Sequence, residues 1–118
     1  PVLRSTGLTK KGYLYVEDVV NAYLLVAEKL YKGEVARGEV FNVGCTPTSA
    51  TGLVSMIQSL MGDSSQAIVE GTENDQHDEF LDSSKIRALG WKEQHTITQG
   101  LLKTIKAFRE REQVVVSA

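Results

Sequence analysis

The chain has 118 residues, 42% hydrophobic and 24% charged, with a formal net charge of −2. That composition excludes a disordered tract, a collagen-like repeat and a disulfide-dense secreted fold. The acidic balance gains nothing from counterion release on a nucleic-acid backbone. One domain over residues 1–118, or one fragment of a longer polypeptide, is expected at this length. The opening Pro1-Val2-Leu3 has no initiator methionine, as expected of a piece. Cys45 is the single cysteine, so no internal disulfide is possible and a cytoplasmic location is expected. No apolar run reaches the ~18 residues of a membrane span, and no signal-peptide pattern is present.

Residues 1–12 are polar, carry Gly7 and Gly12, and are expected to form a loop or an extended arm. Tyr13 to Val16 is β-prone and reads as a short strand. The next segment reads as a helix to about Tyr31, with Asp18 as its cap, Glu17 and Asp18 at the positive end of its dipole, and Gly33 as its stop. Ten of the fifteen residues 16–30 are apolar. At ~100° per residue, Glu17, Asp18, Asn21, Glu28 and Lys29 share one third of the circumference with Leu25, and the other two thirds are apolar. An ordinary amphipathic stripe is only somewhat wider than ~100°. This helix is expected to be sandwiched between two bodies.

Residues 39–44, EVFNVG, read as a second strand ending at a glycine. Cys45 to Ser49 is a loop. Ser49 or Thr51 caps a helix over about 51–61, whose Leu53, Val54, Met56, Ile57, Leu60 and Met61 form one broad face, and Gly62 ends it. Ala67 to Val69 is a third short strand, and residues 70–79 form a polar loop. A short helix starts at Asp82 or Ser83 and stops at Gly90, with Trp91 folding back on Ile86 as in a Schellman cap. Thr96 to Gln99 is a capping box. It opens an amphipathic helix with Ile97, Leu101, Ile105 and Phe108 in one stripe, and the tail VVVSA is expected to fray. This alternation argues α/β or α+β.

The chemistry-bearing residues are sparse. Neither GxGxxG nor GxxxxGK[ST] occurs, so no glycine-rich phosphate cradle is present. Cys45, His77 and His95 lack metal-ligand spacing, and the acids around His77 read as a solvated loop. Cys45 reads as a half-buried thiol, and His95 as exposed loop. A helix-turn-helix over 83–108 would place no positive charge before Lys103, which argues against DNA.

Four segments stand in one order with natural spacing: GYLYVEDVVNAYLLVAEKL, GEVFNVG, LDSSKIRALGW and TITQGLLKTIKAFRE. Together they resemble the C-terminal part of the extended short-chain dehydrogenase/reductases. The likeness is to NAD-dependent nucleotide-sugar epimerases and 4,6-dehydratases, including CDP-glucose 4,6-dehydratase-like members. The resemblance implies an α/β class: the C-terminal portion of a Rossmann-type dehydrogenase, helix-rich with three short strands and without the dinucleotide-binding βαβ units. In that family an N-terminal lobe binds NAD or NADP and carries a Tyr-x-x-x-Lys pair, while the C-terminal lobe binds the nucleotide-sugar. Tyr13, Tyr15, Tyr23 and Tyr31 are followed four positions on by Glu17, Val19, Ala27 and Val35, so that pair is absent here.

The resemblance therefore implies a nucleotide-sugar-binding piece, inert alone, with no cofactor or catalytic residue of its own. Its candidate substrate residues are Lys11, Thr72, Asp75 and Glu79. Lys11 stands where the family has an arginine on the diphosphate, Thr72 where it has a second arginine, and Asp75 at the ribose hydroxyls. Glu79 lies near the sugar end. A lysine keeps the charge but loses the bidentate fork, and Thr72 brings no charge. The expected partner is the missing Rossmann lobe. The alternative is a standalone interaction module that self-associates as a homodimer through its apolar helix faces.

Overall fold

The computed structural model describes residues 1–72 and 77–117. Its elements are strands β1 (Val2–Leu3) and β2 (Lys10–Lys11), helix α1 (Val16–Tyr31), β3 (Thr48–Ser49), α2 (Ala50–Met61), β4 (Ile68–Val69), α3 (Ser84–Ala88) and α4 (Ile97–Ser117). β1 pairs in parallel with β4, Val2 opposite Ile68 and Leu3 opposite Val69. β2 pairs antiparallel with β3, Lys10 opposite Ser49 and Lys11 opposite Thr48. The N-terminal arm is thus not a plain loop. It supplies one strand to each of two small ladders.

The helix ends follow from local chemistry. The Ser49 hydroxyl accepts the Gly52 N–H at 3.1 Å and caps α2. Gly62 closes that helix at φ +69. The Thr96 hydroxyl accepts the Gln99 N–H, and the Gln99 side chain accepts the Thr96 N–H, so the capping box opens α4 as expected. At the end of α3, Gly90 takes φ +105, where only glycine avoids a Cβ clash. This turns the Trp91 N–H back to the Ile86 carbonyl. α1 departs from expectation at its start. Its cap residue is Tyr15, with no side-chain bond, because the Asp18 carboxylate is engaged elsewhere.

Two expected strands are missing. Residues 13–15 and 39–44 belong to no ladder among the described residues. A strand needs a neighbour for its backbone groups, and no described segment pairs with either stretch. Residues 40–43 keep the alternation, with Val40 and Asn42 exposed and Phe41 and Val43 half-buried. The Val40 carbonyl is met by Lys85 Nζ and the Gly44 carbonyl by the Ser83 hydroxyl. The tail also differs from expectation: α4 continues to Ser117 rather than fraying.

The core is small. Ala22, Ile86 and Trp91 are buried, with Leu14, Leu25, Val26, Phe41 and Val43 packed around them. The Trp91 indole N–H donates to the Asp18 carbonyl at 3.0 Å, satisfying its one polar group. α1 therefore has one covered side, formed by Asp18, Val19, Ala22, Leu25 and Val26. On the helical wheel, Leu30, Tyr23, Val16, Ala27, Val20, Tyr31 and Leu24 fill a continuous arc of about 120°. All seven are exposed, Tyr23 at 74% and Tyr31 at 92%.

Candidate functional site

Lys11 and Glu79 are far apart in sequence, and the structure brings them together. β2 holds Lys11 at the edge of its ladder. The loop after the undescribed stretch is tied to the same strand by backbone. The Lys10 N–H donates to Asp78 Oδ1 at 2.7 Å, and the Glu79 N–H donates to the Lys10 carbonyl at 3.0 Å. Lys11 Nζ then lies 3.4 Å from Glu79 Oε1. Thr72 is exposed at the other end of that loop, and Asp75 lies outside the described residues. The immediate surroundings of Lys11 are acidic. An anionic ligand there has to displace a carboxylate from the ammonium.

A second polar cluster was not legible in the sequence. Asp18 lies in the first turn of α1 and is fully buried. Its carboxylate accepts the Gln94 N–H at 3.0 Å, the His95 N–H at 3.1 Å, and a hydrogen bond from His95 Nδ1 at 3.1 Å. Burial pushes this carboxyl up. The Gln94 N–H, the His95 ring and the His95 N–H together outweigh burial and hold it below the ordinary aspartate range. On the far side of the ring, His95 Nε2 is 3.0 Å from Lys103 Nζ and 3.4 Å from Glu17 Oε2. Lys103 also pairs with Glu17 at 2.9 Å. The Tyr15 ring meets the imidazole edge-on, with centroids 4.9 Å apart.

The expectation of an exposed His95 loop is therefore corrected: its side chain is 16% exposed and bridges α1 to α4. The reading of Asp18 as a helix cap is corrected too, since it caps nothing and holds residues 94–95. A hollow of about 420 Å³ adjoins this cluster, lined by Tyr13, Tyr15, Cys45, Thr48, Glu93 and His95 among others. The Cys45 thiol donates to the Tyr13 carbonyl at 2.9 Å. Burial, with Glu93 adding to it, pushes that thiol up, so it is a poor nucleophile at neutral pH.

The first turn of α1 carries Glu17 and Asp18, so this helix start is acidic.

Comparison with known proteins agrees with the motif resemblance. No family model matches the chain. It is 32% identical over 112 residues to the Arabidopsis thaliana trifunctional UDP-glucose 4,6-dehydratase/UDP-4-keto-6-deoxy-D-glucose 3,5-epimerase/UDP-4-keto-L-rhamnose-reductase, a match covering 92% of this chain and 16% of that protein. To the dTDP-D-glucose 4,6-dehydratase of Mus musculus it is 30% identical, covering 92% of this chain and 32% of the mouse enzyme. In structure it matches a UDP-glucose 4-epimerase from Thermotoga maritima, solved with UDP-glucose. The TM-score is 0.81 at 26% identity, over 93% of this chain and 35% of that one. The chain thus spans about a third or less of these relatives. Its fold and sequence are of the extended short-chain dehydrogenase/reductase class. It corresponds to the C-terminal part of the NAD-dependent nucleotide-sugar epimerase/dehydratase family.

Proposed function

We infer that this chain is the nucleotide-sugar side of an epimerase or dehydratase and that it works only when docked on a dinucleotide-binding lobe. NAD or NADP and the proton-transfer residues then belong to that lobe. The observation that carries this reading is the bare 120° arc of α1. A folded monomer of 13.0 kDa exposes about 6,300 Å², whereas this chain exposes 8653 Å². A compact chain of its length has a radius of gyration of about 13.5 Å, and this one has 17.7 Å. An excess of about 2,300 Å² is the scale of a permanent interface, not of scattered apolar residues. Residues 39–44, beside α1 and in no ladder among the described residues, offer the same partner a place to add a strand. Lys11 and Glu79 supply the substrate contacts, Lys11 toward the diphosphate and Glu79 toward the sugar, with Thr72 and Asp75 on the same loop.

The bare arc also favours a second reading. Without a lobe, two copies bury the arc against each other as a homodimer, and the chain serves as an interaction module. Calorimetric titration of UDP-, CDP- and dTDP-sugars into the chain reconstituted with a family dinucleotide-binding lobe separates the two. Micromolar to millimolar binding that weakens in Lys11→Met is expected. Absence of heat at millimolar ligand in a formed complex contradicts the nucleotide-sugar assignment and leaves the interaction module.

A further inference from the structure

The joint between α1 and α4 is built around one imidazole. We propose that His95 is a proton-operated latch, which holds Lys103 of α4 when neutral and turns to Glu17 of α1 when protonated.

Hydrogen-bond chemistry fixes the neutral state. An ionised carboxylate only accepts, and Asp18 meets His95 Nδ1 at 3.1 Å. Nδ1 therefore carries the proton, and the neutral ring presents a bare Nε2. The group facing Nε2 is Lys103 Nζ at 3.0 Å. An ammonium has three donors and no lone pair, so it donates to Nε2 and, at 2.9 Å, to Glu17. Every polar atom in the chain Asp18–His95–Lys103–Glu17 then has a partner of the right kind. The opposite tautomer would set Nε2–H against an ammonium and a bare Nδ1 against a carboxylate, two repulsive contacts at once.

Protonation changes only one face of the ring. The Nδ1–H to Asp18 stays. Nε2 gains a proton and becomes a donor opposite another donor, with two positive charges 3.0 Å apart. The alternative acceptor is already in place, since Glu17 Oε2 lies 3.4 Å from Nε2. Lys103, half-exposed, is free to swing into solvent while Glu17 accepts the ring. The buried end of the ring is the fixed pivot and the wet end is the switch.

The groups that face His95 set the balance. Asp18 and Glu17 on α1 favour the imidazolium, and Lys103 on α4 opposes it. The Tyr15 phenol is a neutral wall at physiological pH, while Glu93 and Cys45 line the hollow through which solvent reaches the ring.

Long-range ¹⁵N–¹H NMR of the full chain, followed from pH 8.5 to 4.5, tests this. In the unsubstituted chain at high pH, His95 is expected as the Nδ1–H tautomer with a bare Nε2. Lys103→Met, which removes the opposing cation, moves ring protonation to higher pH, and Glu17→Gln moves it lower. Each shift is about half a unit, a ~3-fold change in proton affinity. Both substitutions are on exposed side chains, and the tautomer itself needs no variant. An Nε2–H neutral tautomer, or a transition that neither substitution moves, overturns the latch.

Discussion

Asp18 is a buried carboxylate that accepts hydrogen bonds from residues 94 and 95. Removing it in Asp18→Ala leaves two part-buried backbone N–H groups and one ring N–H without an acceptor. A loss of about 3 kcal/mol is expected in urea denaturation. Asp18→Asn keeps the shape but turns an NH₂ toward one of those donors, so it recovers only part of the loss. The same residue shapes the acid limb. Its folded carboxyl is held below the ordinary range, so the unfolded chain takes up the proton first. Its contribution is fully present above the unfolded value of about 3.9 and is lost as pH falls through the folded value. Stability from this group is therefore flat above about pH 5 and falls below about pH 4, and Asp18→Asn flattens that limb.

The helices were legible because their signals are local. Ser49, Gly62, Gly90, Trp91 and the Thr96–Gln99 box each act within a few residues, and each does in the structure what its chemistry dictates. Thr96→Ala is expected to cost about 1 kcal/mol, read as a drop in thermal midpoint. Gly100 adds a contact that no local rule reveals. A Cβ there would lie 2.8 Å from the Tyr15 Cβ, where the start of α4 presses on the entry to α1. Alanine gains about 1 kcal/mol in helix propensity, but overpacking costs 1–3 kcal/mol. Gly100→Ala is expected to be net destabilising by about 1 kcal/mol, a sign opposite to the propensity rule. The strands were read less well for a related reason. The alternation of residues 40–43 is a true β pattern, but a ladder depends on a neighbour that the residues themselves do not encode. The Asp18–His95–Lys103 cluster was invisible for the same cause: its members sit 77 positions apart at Asp18–His95, and only the fold joins them. Lys11 and Glu79 were named through family likeness as separate substrate contacts, and their ion pair was not foreseen.

The molecule as a whole is flat, 52 × 43 × 21 Å, with a core of three buried apolar residues among those described and a bare helical face. Burying seven apolar residues of α1 against a partner recovers surface that this chain alone leaves wet. At about 25 cal/mol per Å² of apolar area, even a few hundred Å² is a large term beside the 5–15 kcal/mol of a typical fold. Glutamate at Val20 and Leu24, both mid-arc and exposed, should leave the helical circular dichroism unchanged while abolishing association. Size-exclusion chromatography with light scattering, run on the unsubstituted chain at micromolar concentration and then on Val20→Glu/Leu24→Glu, puts the bare arc to the test. The unsubstituted chain is expected at twice 13.0 kDa or more and the double variant at the monomer mass. An unsubstituted chain that runs as a clean monomer at every concentration would contradict an α1 face made to be covered.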